Sequence, residues 1–185
     1  MLLPNLLLIA GTGNKSGKTS AACRIISGFP DLSITAIKIT PHFHETTMGL
    51  VAVAENDGYS IYEETNRESG KDTARMLESG AARVYFAKVW DNRLLDAFLK
   101  IRDMIPEDMP VICESPALRN FIEPGVFIIM TSEKTYNNKD IKYLQSLPHL
   151  MIRLEDLDNM ATLPFGFEGG KWFLKSEVGS RKSED

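Results

Sequence analysis

Short apolar runs alternate with amphipathic segments along most of this chain. Apolar runs at residues 6–10, 33–39, 83–89, 110–116, 126–130 and 149–154 have the length and the β-branched content of buried strands. In residues 92–105 the apolar side chains recur every three to four positions, which predicts a helix with one face in the core. Further helices are expected near 18–27, 72–79 and 138–146. This alternation predicts an α/β fold, with a mostly parallel sheet flanked by helices.

Residues 50–64 interrupt the alternation with two β-type arms around the turn Asn56-Asp57-Gly58. Asp-Gly between two such arms favours a β-hairpin. This inserted hairpin is interpreted either as a lid or dimer arm beside the site, or as two more strands at the sheet edge. A second, short hairpin is expected around Gly169 and Gly170. We expect one domain over residues 1–175, followed by a polar, disordered tail at 176–185.

Composition indicates an ordinary globular protein. Of the 185 residues, 43% are hydrophobic and 25% are charged, and the net charge is −4. No basic stripe interleaved with aromatic residues is present, so nucleic acid is not an expected partner. No apolar run has membrane-spanning length, and the N-terminal run lacks a basic n-region. Cys23 and Cys113 lie in apolar surroundings typical of reduced core thiols. We therefore expect a cytoplasmic protein.

A glycine-rich loop, residues 12–17, joins the first predicted strand to the first predicted helix. Loops of this kind direct backbone N–H groups and a helix N-terminus at phosphates. A lysine then reaches the β- and γ-phosphates, and the next hydroxyl ligates Mg²⁺; here these residues are Lys18 and Thr19. The first glycine of the pattern G-x-x-x-x-G-K-[ST] is replaced by Thr12, between Gly11 and Gly13. The residues expected to contact a nucleotide are Thr12, Gly13, Asn14, Lys15, Ser16, Gly17, Lys18, Thr19 and Ser20.

Glu114 is the second candidate, at the end of the predicted strand VICE. A nucleoside triphosphatase with such a loop needs an acid at the end of a nearby buried strand, to hold Mg²⁺ directly or through water. We assign Glu114 and Thr19 to the metal ion, and Lys18 and Glu114 to catalysis. The alternative is a surface carboxylate at a strand end.

Three more polar residues follow predicted strands and form a candidate second-substrate site. Lys38 ends the second strand, and His42 and His44 form an H-x-H pair that is either exposed or metal-binding. Asp72 opens a helix and either caps it or binds substrate or metal. Because the loops after parallel strands meet at one edge of a sheet, we expect Lys38, His42 and Asp72 across a cleft from the glycine-rich loop.

Several of these motifs together resemble one known family. The glycine-rich loop, the stretch AIKITPHFH, the helix GKDTARMLESGA and the strand VICES come in the order seen in the molybdopterin-guanine dinucleotide biosynthesis protein B family, of the SIMIBI class of P-loop NTPases. The likeness covers residues 6–130. Ile39 and Pro41 break the family's histidine cluster, and Ser115 replaces its glycine after the acid. The resemblance implies a P-loop NTPase fold, Mg²⁺-dependent binding and slow hydrolysis of ATP or GTP, and a role in cofactor biosynthesis.

Two other functions stay open. In a small-molecule kinase or an ATP-dependent ligase, Lys38, His42 and Asp72 would form the acceptor site. The related dethiobiotin synthetase-like ligases also hold their substrate with a second-strand lysine. In a nucleotide-gated adaptor, the hairpin would bind a partner enzyme or a second copy of the chain. Residues 138–140, Asn-Lys-Asp, lack the spacer of the guanine-reading motif Asn-Lys-x-Asp, so ATP and GTP are both retained.

Overall fold

A single large sheet organises the structure, which is a computed structural model that describes residues 1–43, 45–157 and 159–175. His44 and the expected tail at 176–185 lie outside these residues. The sheet has the strand order β3-β4-β5-β2-β6-β1-β7-β8. The pairs from β5 to β8 are parallel, and β3, β4 and β5 pair antiparallel. Its strands are β1 (Leu2–Gly11), β2 (Thr35–Thr40), β3 (Leu50–Asn56), β4 (Tyr59–Glu64), β5 (Arg83–Val89), β6 (Val111–Glu114), β7 (Glu123–Thr131) and β8 (Leu150–Arg153).

Helices cover both faces of the sheet, which confirms the α/β class and the mostly parallel sheet. Successive side chains of β1 enter opposite cores. Leu6 and Leu8 belong to the core cluster that includes the apolar face of residues 94–101, and Leu7 and Ile9 belong to the cluster that includes those of residues 21–26 and 76–77. Burial on both faces explains why this strand is an unbroken apolar run. The helices are α1 (Lys18–Gly28), α2 (Asp72–Glu78), α3 (Leu94–Arg102), α4 (Lys142–Gln145) and α5 (Leu154–Leu157), and 3₁₀ turns occupy Asp91–Arg93 and Pro116–Asn120. Among the described residues, no helix is long and apolar enough to cross a bilayer.

Both predicted hairpins are present. Strands β3 and β4 pair antiparallel, and β4 continues the main sheet by pairing with β5. The hairpin at 50–64 is therefore the edge of the sheet, as one of the two interpretations expected. The C-terminal hairpin consists of β9 (Phe165–Glu168) and β10 (Lys171–Leu174), and Gly169 and Gly170 at its turn have φ of 57° and 73°.

Two elements differ from the sequence-based expectation. The predicted helix at 138–146 is reduced to the single turn α4. The residues before it lie on the glycine-rich loop instead, where the Lys139 N–H donates to the Thr12 carbonyl (2.9 Å) and Asn14 forms a β-bridge with Tyr136. Strand β1 begins at Leu2, four residues earlier than expected, because its first residues pair with β7 across a register shift.

Candidate functional site

The glycine-rich loop leaves the carboxyl end of β1 and wraps around the side chain of Lys18, the first residue of α1. The Lys18 ammonium donates to the Gly13 carbonyl (2.9 Å) and to Ser16 Oγ (3.3 Å), and Ser16 Oγ donates to the same carbonyl (3.0 Å). Gly17 has φ of 91°, a left-handed conformation that favours glycine, and an added Cβ would lie 2.9 Å from Leu154 Cδ1. The loop therefore folds as a tight turn around an ammonium group.

The departure from the usual glycine pattern has a geometric reason. A Cβ on Gly11 would lie 2.1 Å from Ser16 Oγ, and one on Gly13 would lie 2.7 Å from the Tyr136 carbonyl oxygen. Glycine is thus needed on both sides of Thr12. Thr12 itself is bonded through its backbone, donating to the Met130 carbonyl (3.0 Å), and it does not line the cavity described below. Of the nine residues expected to contact a nucleotide, the eight from Gly13 to Ser20 line the cavity and Thr12 does not.

Sheet register brings Glu114 and Lys38 together beside the glycine-rich loop. Glu114 is the register partner of Ile9 on β1 and of Lys38 on β2. Thr19 Oγ1 donates to Glu114 Oε2 (2.8 Å), and Lys38 Nζ lies 3.3 Å from both carboxylate oxygens of Glu114. The same ammonium forms an ion pair with Asp72. Lys38 thus lies between two carboxylates, of which Glu114 is buried.

A second buried carboxylate holds the start of helix α2. Glu64, the last residue of β4, accepts a hydrogen bond from Thr73 Oγ1 (2.7 Å) through Oε2 and one from the Asn66 N–H (2.9 Å) through Oε1. Both Glu64 and Thr73 are buried. Asp72 directly precedes Thr73, so this bond fixes the backbone from which Asp72 reaches Lys38. Sequence reasoning missed Glu64, because the burial of a strand-end glutamate depends on tertiary packing.

The two lysines of the site have opposite electrostatic surroundings. Burial is the largest influence on Lys38 and would lower its pKa, but Glu114 and Asp72 together outweigh burial and raise that pKa. Burial would likewise raise the pKa of Asp72, and Lys38 reverses the direction and lowers it. For Lys18, burial lowers the pKa, and the attraction of Glu114, which would raise it, is too weak to reverse that direction. In the described part of the chain, no carboxylate lies within ion-pair distance of Lys18. Lys18 is therefore a partly buried cation without an anionic partner.

Lys18, Lys38, Asp72 and Glu114 line one cavity of about 750 Å³ at the carboxyl edge of the sheet, whereas Glu64 and Thr73 lie outside it. Its volume lies within the range of ligand sites. Lys38, His42 and Asp72 line it together with the glycine-rich loop, so the structure brings the expected second-substrate residues and the loop to one cavity. No residue from 50 to 64, all of them described, lines it. Sequence reasoning missed four charged residues of the lining, because they come from loops and helix faces whose positions depend on the fold: Arg75, Asp91, Lys134 and Lys139.

The charge of the cavity is opposite in sign to that of the chain. Its lining carries six cationic side chains, those of Lys15, Lys18, Lys38, Arg75, Lys134 and Lys139, and three acidic ones, those of Asp72, Asp91 and Glu114. The chain as a whole has a net charge of −4. Such a local excess of positive charge attracts anions into the cavity.

Oxygen ligands for a hard cation are present in the cavity. The Thr19 hydroxyl and the Glu114 carboxylate are the donor types that Mg²⁺ takes from proteins, and they are in hydrogen-bond contact. Within residues 1–43, 45–157 and 159–175, no group of three or more His, Cys, Asp or Glu side chains could hold a metal ion by itself. His42 lines the cavity, and its predicted partner His44 lies outside the described residues.

Comparisons with protein-family models, with curated proteins and with solved structures give no match. What the site can do is therefore inferred from its geometry and chemistry.

Proposed function

We propose that this chain binds a purine nucleoside triphosphate together with Mg²⁺ in the 750 Å³ cavity and hydrolyses it slowly, as a P-loop NTPase does. The observation that carries the proposal is the state of Lys18: a partly buried ammonium, held by a tight glycine-rich loop and lacking a carboxylate partner. An anion is the partner that such a group needs, and the cationic lining favours one with several charges.

The proposal gives a role to the glycine-rich loop and to four side chains that line the cavity. Backbone N–H groups of the glycine-rich loop and the ammonium of Lys18 would hold the β- and γ-phosphates. Thr19 and Glu114 would hold Mg²⁺, directly or through water, and the ion would supply neutralisation of the phosphate oxygens. Lys38 already lies 3.3 Å from Glu114, so it can balance the negative charge of the cation ligands. The free thiols of Cys23 and Cys113 fit a cytoplasmic location.

As part of the same proposal we assign this activity to cofactor biosynthesis, on the basis of the sequence resemblance to the molybdopterin-guanine dinucleotide biosynthesis protein B family. ATP and GTP are both included. A second candidate function, a small-molecule kinase or ATP-dependent ligase, is favoured by one observation: Lys38, His42 and Asp72 line the same cavity as Lys18. An adaptor that works through the hairpin has no comparable observation in its favour.

Calorimetry with ATP and with GTP, each with and without Mg²⁺, tests the proposal. Wild type should bind at least one nucleotide, and Lys18→Ala should weaken that binding at least about tenfold, because the charged hydrogen bonds to phosphate are lost. Lys100→Ala, which removes an exposed lysine of α3, is the matched control and should bind like wild type. Thermal unfolding should show both variants folded. Equal nucleotide affinity for wild type and Lys18→Ala would refute the assignment.

A further inference from the structure

The cavity extends well past the glycine-rich loop. Its far end, which we call the β5 end, is lined by residues at or after the carboxyl ends of β2, β5 and β6. Strand β5 lies three positions from β1 in the sheet, about 14 Å away at the usual strand spacing. Apolar residues form the larger part of the walls there: Ile39, Pro41, Val89, Leu94, Pro116 and Ala117. The polar residues of this end are Thr40, His42, Asp91 and Ser115.

A bound triphosphate would leave the β5 end free, and this step rests on the proposed function. The cation ligands Thr19 and Glu114 lie on the β6 side of the loop, so the terminal phosphates would face that side. The nucleoside would then extend in the opposite direction, towards Lys139 and Leu154, which line the cavity beyond β7. The β5 end is therefore space that the nucleotide does not need.

Charge separates the two ends of the cavity. The six lining cations belong to the glycine-rich loop and its surroundings, up to Lys38, whose charge is balanced by Asp72 and Glu114. Beyond Lys38, among the described lining residues, Asp91 carries the one carboxylate, His42 carries an imidazole, and no lysine or arginine is present. An apolar chamber with one carboxylate suits a ligand with an apolar body and a positively charged N–H donor.

Two exposed aromatic rings flank this end. Trp90 lies between the lining residues Val89 and Asp91, and Phe43 directly follows the lining residue His42. Their ring centroids are 6.1 Å apart, and the residues are 52% and 48% exposed. Neither residue lines the cavity itself, and the two ring planes are inclined by 56°, so beside the apolar end they offer the face of one ring and the edge of the other to a planar group.

We propose that the β5 end binds a second small molecule, one with a planar aromatic ring and a cationic N–H donor such as an amidinium or a protonated amine. The ring packs against Trp90 and Phe43, and the donor pairs with the Asp91 carboxylate. The ligand so placed lies next to Lys38, on the side of the cavity that the terminal phosphates would face. The inference goes beyond nucleotide binding and involves no chemical step.

Three small probes of one shape test this site on the nucleotide-free full chain: benzamidine (a planar cation), benzamide (neutral) and benzoate (an anion). Trp90 is the tryptophan that a probe can contact, because the other one, Trp172, is 2% exposed and contributes a constant background to the emission. Quenching of tryptophan fluorescence and saturation-transfer NMR should both rank benzamidine above benzamide and benzamide above benzoate. We expect benzamidine to bind at least about tenfold more tightly than benzoate, as a charged hydrogen bond provides.

Variants separate this site from the nucleotide site. Asp91→Asn should reduce the preference for benzamidine over benzamide to less than about twofold. Asp103→Asn, the same change at an exposed aspartate that does not line the cavity, should keep the preference. Lys18→Ala should also keep it, so failure of nucleotide binding leaves this test intact. The proposal is overturned if wild type binds none of the probes, if it binds all three equally, or if Asp91→Asn retains the full preference.

Discussion

Replacing Lys38 by methionine would remove the ammonium between two carboxylates while keeping most of the side-chain volume. Lys38 Nζ is 3.3 Å from both oxygens of Glu114 and is paired with Asp72, and the side chains of Lys38 and Glu114 are only 18% and 7% exposed. Removing one partner of a buried ion pair costs about 3–5 kcal/mol, because the other charge is left uncompensated. Glu114 keeps the Thr19 hydroxyl and the Asp72 side chain is 45% exposed, so we expect a loss near the lower limit, about 3 kcal/mol.

Urea unfolding of a double-mutant cycle measures this loss. Lys38→Met should lose about 3 kcal/mol of unfolding free energy, and Lys38→Met combined with Glu114→Gln should lose clearly less than the sum of the single variants, because the buried charge is gone. Lys100→Met controls for the substitution at an exposed position. If Lys38→Met stays within about 0.5 kcal/mol of Lys100→Met, the carboxylates do not depend on the ammonium and the reasoning is refuted.

Three further predictions concern the loop, the metal ligands and the ion pair. Thr19→Ala and Glu114→Gln should each weaken nucleotide binding about tenfold more with Mg²⁺ than in EDTA. Equal losses in calorimetry would leave Glu114 as a buried partner of Thr19 and Lys38 without a role in metal binding. Gly11→Ala should reduce the free energy of unfolding by about 1–3 kcal/mol, because the added Cβ would lie 2.1 Å from Ser16 Oγ. An unchanged Tm in thermal unfolding would show that the loop can rearrange to accept the methyl group. Asp72→Asn should cost about 1 kcal/mol at pH 7, since this side chain is 45% exposed. Because the pKa of Asp72 is lowered in the folded state, its ionised form stabilises the fold fully above the unfolded pKa of about 3.9, and this contribution is lost as the pH falls below that value. The urea midpoints of Asp72→Asn and wild type should therefore converge in acid, and midpoints that stay apart would contradict the assignment.

The sequence predicted the site best where one strand end determines one position. Glu114 and Lys38 each end an apolar run, and parallel strands bring such ends to one edge, so their approach followed from pattern alone. The direct contact between Lys38 and Glu114 could not be predicted from the pattern, because the register of β2 and β6 depends on crossovers between distant segments. The same limit applies to Asp72, whose ion pair needs helix α2 at a particular height on the sheet.

The errors have a common physical origin in long-range contacts. A helix is expected over residues 138–146, but the backbone of Lys139 bonds to Thr12, 127 positions away, and this contact replaces most of the helix. Residues before Leu6 joined β1 because β7 offers them backbone partners. Neither contact leaves a periodic trace in the local sequence.

Glu64 sets a limit on how the edge hairpin can vary. It ends strand β4 and also holds Thr73 at the start of α2, next to the residue that pairs with Lys38. Because successive strand residues face opposite sides, a slip of β4 by one position would turn the carboxylate away from Thr73. A substitution at Asp57 in the turn would leave this contact in place, whereas an insertion within β4 would release the helix start. Strand β4 does not line the cavity, but its register must be kept for Asp72 to reach Lys38 in the cavity.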